Sequence, residues 1–305
     1  MTSGPPPAPG IHGGDAERVA AYLGVGPSEV LDLSASLNPE APDVAGVVAR
    51  SLDRLSRYPD TTRATSALAE TIGVDPSRLV LTNGSSEAIA LIAQLEPTGW
   101  VEQPDFALYA RHLRNLDPTA PRWRSNPSNP MGRLASPAET AGMWDEAFWP
   151  LAAGTWTRGD EASWRVGSLT KIWACPGLRA GYAIAPNPES AEALRAIQPG
   201  WAVNGLAAAV IEALLPATDL PTWQRAIAER RAELAYQLRR RGLVVDETDA
   251  CWVLVEHGDL RSLLIPTGVL VRDCTSFGLD STTRIAVPDD HGQQRLLESI
   301  DRVLG

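Results

Sequence analysis

The stretch Ser168-Leu169-Thr170-Lys171-Ile172-Trp173-Ala174-Cys175-Pro176-Gly177-Leu178-Arg179-Ala180-Gly181-Tyr182 sets a primary amine among hydroxyls, with a guanidinium eight residues on and a glycine turn between. A lysine amine can be tuned by its surroundings into a nucleophile, whereas a guanidinium stays protonated and cannot. Lys171 is the only lysine in the chain, the other 26 of its 27 basic residues being arginines. Arginine serves at least as well for surface charge and salt bridges. A single lysine kept beside hydroxyls therefore marks a place where the chemistry needs an amine.

An amine that forms an imine, next to hydroxyls and a guanidinium that bind phosphate, suits pyridoxal phosphate (PLP). Other segments fit the same chemistry. Thr82-Asn83-Gly84-Ser85-Ser86-Glu87 opens a helix, whose N-terminal N–H groups and dipole favour a phosphate. Asp145, in Asp145-Glu146-Ala147-Phe148, supplies the anion that keeps a pyridine nitrogen protonated. Asn129, in the turn-rich loop Asn126-Pro127-Ser128-Asn129-Pro130-Met131-Gly132, has the reach for a phenolic oxygen. Either Phe106 or Tyr109 has the ring to stack on the cofactor. Arg272 and Arg284 sit in or beside apolar strand patterns, where a guanidinium is costly unless it meets an anion.

The elements that must hold these residues alternate. Strands are expected over 78–81, 164–167 and 178–185, and helices over 64–72, from 82–87 to about 95, 191–197 and 223–241. From 243 onward the pattern turns to strands over 243–245, 251–255, 269–272 and 284–286, closed by a helix over 293–304. Alternation followed by a strand-rich block implies an α/β domain and a smaller α+β domain. The expected division is a disordered lead over 1–10 and an N-terminal arm over 11–43 joining the small domain. The large cofactor-binding domain follows over 44–205, and the small domain over 206–305.

At 305 residues, 44% hydrophobic and 21% charged, the chain reads as soluble and globular with no membrane span or signal peptide. A net charge of −10 argues against nucleic acid as a main partner. Cys175, Cys251 and Cys274 lack CxxC spacing and the four histidines lack ligand spacing, so neither disulfide nor metal is expected and a cytoplasmic setting fits. Ser168-x-x-Lys171 also matches the serine–lysine core of penicillin-binding proteins and β-lactamases, but their partner KTG needs a second lysine that this chain lacks.

Together these motifs resemble fold-type-I PLP-dependent enzymes of the histidinol-phosphate aminotransferase branch. Within that branch the chain is most similar to cobalamin-pathway threonine-phosphate decarboxylases. The opening His12-Gly13-Gly14-Asp15, the stretch Leu31-Asp32-Leu33-Ser34-Ala35-Ser36-Leu37-Asn38-Pro39, and Arg272-Asp273-Cys274 with Phe277 carry the likeness, which runs from His12 to Val287. The resemblance implies a homodimer with Lys171 as the Schiff-base lysine, Asp145 on the pyridinium, Asn129 on the phenolic oxygen and Phe106 on the ring face. Ser85, Ser86, Ser168, Thr170 and Arg179 would hold the cofactor phosphate, with Tyr58 reaching in from the dimer mate. Arg284 would take substrate carboxylate, and Arg272, His12 and Asn38 would complete the site for a small phosphorylated amino acid or amine.

Three features depart from that pattern. Phe148 replaces a tyrosine usual in the aminotransferases, and Ser36 an asparagine usual in the decarboxylases. The intervals Pro104 to Pro127 and Gly132 to Asp145 are too short for the family's usual helices and strands, so a trimmed large domain is expected. Decarboxylation leads, transamination is the alternative, and a PLP-fold protein that only binds is the third reading.

Overall fold

The computed structural model describes residues 4–10 and 12–305. The chain divides into two compact units. The larger comprises Ala41–Asn129 and Arg133–Gln224; the smaller comprises the described residues of Met1–Glu40 with Pro130–Gly132 and Arg225–Gly305.

The larger unit is built on a mixed sheet of β1 (Leu79–Thr82), β2 (Trp123–Ser125), β3 (Met143–Asp145), β4 (Trp164–Ser168) and β5 (Gly181–Ile184), in the order β1-β5-β4-β3-β2. Strands β2, β3 and β4 pair parallel, and β5 runs against both β4 and β1. The sheet is therefore mostly parallel. A bridge between Trp100 and Arg122 leads on to a two-residue parallel ladder of Thr98–Gly99 with Asn115–Leu116.

Side-chain alternation gives each strand two buried faces, as parallel sheets require. On one face Val80, Trp123, Met143, Trp164, Val166 and Ala183 pack with Ile89 and Ile92 of a helix over Ser85–Leu95. On the other, Leu79, Leu81, Tyr182 and Ile184 pack with Ala64 and Leu68 of the Thr62–Ile72 helix and with Ala207, Val210 and Ile211 of the Gly205–Leu214 helix.

The trimming expected from sequence is visible here. Between Gly132 and β3 there is no helix, and between Pro104 and Pro127 the only helix is the five-residue Leu108–His112. A loop stapled by arginine covers this end of the sheet. The Arg158 guanidinium lies 4.5 Å from the Trp144 ring centroid and donates to the carbonyls of Ser136 (2.9 Å) and Glu139 (2.8 Å). Arg124, 5.9 Å from the same ring, pairs with the Glu139 carboxylate. Guanidinium–aromatic contacts of this kind contribute most when desolvated.

The smaller unit carries an antiparallel sheet of β6 (Val245–Glu247), β7 (Trp252–Glu256), β8 (Arg272–Asp273) and β9 (Thr282–Ala286), in the order β8-β9-β7-β6. Leu31–Asp32 pairs parallel with Val269–Leu270. Leu234 and Leu238, from the helix Leu220–Arg239, and Leu296 and Ile300, from Asp290–Leu304, close the core over Val253, Val255 and Ile285.

Two expected boundaries move. Residues 206–224 belong to the larger unit rather than the small domain, because the Gly205–Leu214 helix buries its apolar side in the larger unit's core. Pro130–Gly132 joins the smaller unit, where Gly132, at φ 65°, packs on Thr248 and Trp252 Nε1 donates to the Pro130 carbonyl at 2.9 Å. Residues 4–10, expected as a disordered lead, make contacts in the structure. Gly4, Pro7 and Gly10 offer their carbonyls to Tyr22, Arg261 and Arg272 at 2.9, 2.7 and 2.7 Å. Residues 1–3 of that expectation lie outside the described residues. No helix among the described residues is long and apolar enough to cross a membrane, and the three cysteines are free and buried.

Candidate active site

Strand β4 ends at Ser168 and runs directly into a one-turn helix, Leu169–Ile172, which carries Lys171. Lys171 Nζ lies 5.4 Å from the centroid of the Phe148 ring. The departure at Phe148 thus places an aromatic face, not a hydroxyl, beside the amine. The buried hydroxyls of Ser168 and Thr170 are 2.8 Å apart and share a hydrogen bond.

The anion cradle depends on two glycines. Gly84 precedes the Ser85–Leu95 helix at φ 79° and ψ 163°, a conformation open almost only to glycine. A Cβ at Gly84 would stand 2.4 Å from Arg179 Nη2, and one at Gly181 would stand 2.5 Å from the Ser85 amide nitrogen. The absence of both lets a guanidinium and the amides of Ser85 and Ser86 gather at one helix N-terminus, a ready phosphate site. These residues fit the phosphate of PLP.

At the end of β3, Asp145 is 6% exposed. Its Oδ2 accepts from the Tyr109 hydroxyl at 2.9 Å and its Oδ1 from the Ala147 N–H at 3.0 Å. Burial raises this carboxyl above the usual carboxylate range, against the opposing pull of those two donors and of the Lys171 charge. A buried carboxylate of this kind fits a cationic ring nitrogen.

Phe106 and Tyr109 differ in burial. Tyr109 is fully buried and spends its hydroxyl on Asp145, whereas Phe106 is partly exposed and meets Tyr109 edge-on at 5.7 Å. Asn129 is 8% exposed, and its backbone N–H donates to Ser125 Oγ at 2.8 Å.

In the smaller unit, Arg272 and Arg284 pair directly across β8 and β9. Arg272 donates to the Gly10 carbonyl and, at 2.6 Å, to Ser276 Oγ; Arg284 donates to the Ser34 carbonyl at 3.2 Å. Asn38 is buried, its side-chain oxygen accepting from the Glu40 N–H at 2.9 Å, and His12 is exposed. In the larger unit Tyr58 is 78% exposed and stacks, tilted, on the exposed Trp201 at 4.5 Å.

Sequence reasoning missed Asp105 and Ser125. Asp105 is buried, and its carboxylate bonds both the hydroxyl and the N–H of Ser125. Its position just before Phe106 was the one available signal.

This fold and cradle define a PLP-dependent enzyme of fold type I. The chain belongs to the aminotransferase class I and II family, whose family model matches residues 123–300. It is 29% identical to a threonine-phosphate decarboxylase of Salmonella typhimurium, over 96% of each chain. It is 26% identical to histidinol-phosphate aminotransferase 1 of Dechloromonas aromatica, over 94% of this chain and 93% of that one. The solved histidinol-phosphate aminotransferase of Sinorhizobium meliloti, in complex with pyridoxal-5'-phosphate, superposes with a TM-score of 0.82 at 19% identity, covering 95% of this chain and 94% of that one. The alignment to the Salmonella protein spans 353 positions against a chain of 305 residues, which measures the trimming.

Proposed function

We propose that the enzyme acts on a small phosphorylated amino acid or amine, with decarboxylation of L-threonine O-3-phosphate as the leading reading. Transamination of the histidinol-phosphate kind is the second. The observation that carries the substrate class is the pairing of Arg272 with Arg284 across one ladder, two guanidiniums suited to a ligand with two anionic groups. The decarboxylase name among the relatives sets the order of the two reactions.

In this reading Arg284 holds the carboxylate, and Arg272, His12 and Asn38 hold the phosphate. Lys171 anchors PLP, with Ser85, Ser86, Ser168, Thr170 and Arg179 on its phosphate, Asn129 on its phenolic oxygen, Phe106 on its face and Asp145 on its nitrogen. When bound, PLP supplies a protonated ring that accepts the electron pair left at the substrate Cα. If carboxylate leaves, Lys171 Nζ returns a proton to Cα; if the carboxylate stays, Lys171 Nζ removes the proton from Cα. The anion anchors select between these by fixing which Cα bond stands across the ring.

The reading includes a homodimer in a cytoplasmic setting. Leu52, Leu55, Tyr58 and Trp201 are 54, 69, 78 and 65% exposed in one region of the larger unit, an apolar surface that a second copy would cover. Tyr58 would then serve the partner's phosphate site.

The test is a product assay with threonine phosphate and, separately, histidinol phosphate with a keto-acid acceptor. Carbon dioxide without keto acid from the first supports decarboxylation, and amino transfer from the second displaces it.

A further inference from the structure

Asp105 lies outside the set of groups assigned to the cofactor, yet its carboxylate is tied to two of them. It is 3% exposed and sits just before Phe106, whose backbone N–H it receives at 2.7 Å on Oδ1. The same oxygen takes the Ser125 hydroxyl, and Oδ2 takes the Ser125 N–H at 3.1 Å. Having donated to Asp105, Ser125 Oγ accepts the N–H of Asn129 at 2.8 Å. Tyr109 donates separately to Asp145. One buried string therefore runs from Asp105 through Ser125 to the Asn129 backbone, with a second bond from Asp105 to the Phe106 backbone.

We infer that Asp105 is a positioning residue that fixes two groups assigned to the PLP ring: Phe106 on its face, directly, and Asn129 on its oxygen, through Ser125. The inference rests on the cofactor placement proposed above and adds the residue that holds those groups in register.

The chemistry favours a carboxylate here. Three donors converge on Asp105, two N–H groups and one O–H. Only a carboxylate offers enough acceptor sites for all of them without presenting a donor of its own. Ser125 is needed as a hydroxyl because it must donate to Asp105 and accept from Asn129 together, which neither a methyl nor an ammonium can do. The string joins different stretches of chain: Phe106 precedes the Leu108–His112 helix, Ser125 ends β2 and Asn129 lies in the loop that follows it. With the trimmed intervals leaving little other structure around these stretches, a buried polar tie does the work of alignment. Burial pushes the Asp105 carboxyl up to about 6, with the nearby Asp145 charge adding to the shift.

Purified wild type, Asp105→Ala, Ser125→Ala and Ser125→Thr would be stripped of cofactor and titrated with PLP. The readouts are the visible absorption band, the dissociation constant and the far-ultraviolet circular dichroism of each apo protein. The expected result is weaker PLP binding by about tenfold or more in Asp105→Ala and Ser125→Ala, with a shifted band and unchanged dichroism. Ser125→Thr, which restores the hydroxyl, returns both values to within about threefold of wild type. Should Asp105→Ala fail to fold, the Ser125 pair decides alone. Wild-type affinity and band in Ser125→Ala overturn the inference while leaving the cofactor placement standing. A wild type that gives no band at any PLP concentration overturns both, so the two failures are distinct.

Discussion

Arg272 and Arg284 stand directly opposite one another in an antiparallel ladder, 3 and 6% exposed. Like charges in that position repel, and burial adds a desolvation penalty to each. Aromatic rings offset part of this: Phe277 lies 5.5 Å from the Arg272 guanidinium and Trp252 lies 4.9 Å from that of Arg284. Burial, with the Arg272 charge contributing, lowers the Arg284 guanidinium to about 10, and burial lowers Arg272 in the same direction. An incoming dianion relieves both effects at once.

Arg284→Ala is therefore expected to raise KM for a phosphorylated amino acid by roughly 100-fold, the usual loss when a desolvated charge-assisted contact goes. Arg284→Lys should recover little of it, since an ammonium cannot reproduce the planar fork held over Trp252. Steady-state kinetics on both variants check this. An unchanged KM would remove Arg284 from the substrate site.

Gly84→Ala tests the cradle. The new methyl meets Arg179 Nη2 at 2.4 Å in a backbone conformation that disfavours any side chain. The variant should bind PLP on the order of tenfold or more weakly and lose about 1–3 kcal/mol of stability. Gly177→Ala, with nothing within 4 Å of the added methyl, is the control and should behave as wild type.

Tyr109→Phe removes one of the two donors on Asp145 and leaves its ring packing intact. PLP affinity should fall roughly tenfold, as for a lost hydrogen bond to a buried charge. Equilibrium titration of the apo variant gives the answer directly.

Two buried carboxyls set a pH dependence. Burial pushes Glu146 up to about 7 and Asp105 up to about 6, from ordinary values of 4.5 and 3.8. The folded chain thus binds protons that the unfolded chain has released, and unfolding free energy falls as pH rises from about 4.5 to 7. Denaturant melts of the apo protein should show lower stability at pH 8 than at pH 5. Glu146→Gln should flatten the profile by on the order of 3 kcal/mol. A stability that climbs across this window would contradict the assignment.

Lys171 stands out in the sequence because one amine among 26 arginines is a chemical exception, and Asp145 because it ends a short apolar segment. Asp105 and Ser125 were not, since they lie 20 positions apart in sequence and neither residue type is unusual alone. The strands β2 and β3 are three residues each, too short for alternation to register. The Gly205–Leu214 segment is apolar nearly all round, so no amphipathic stripe announced it as core of the larger unit. Without that helix the expected domain boundary fell too early.

The loop held over Trp144 by Arg158 changes more than the outline of the sheet. An aliphatic helix in that place would expose a broad apolar face on unfolding, whereas guanidinium and carbonyl groups expose polar surface. Apolar exposure raises the heat capacity of unfolding and polar exposure lowers it. The loop's own share of that heat capacity is therefore smaller than an aliphatic helix would give, and most of what this end of the sheet contributes comes from its buried tryptophans Trp123, Trp144 and Trp164.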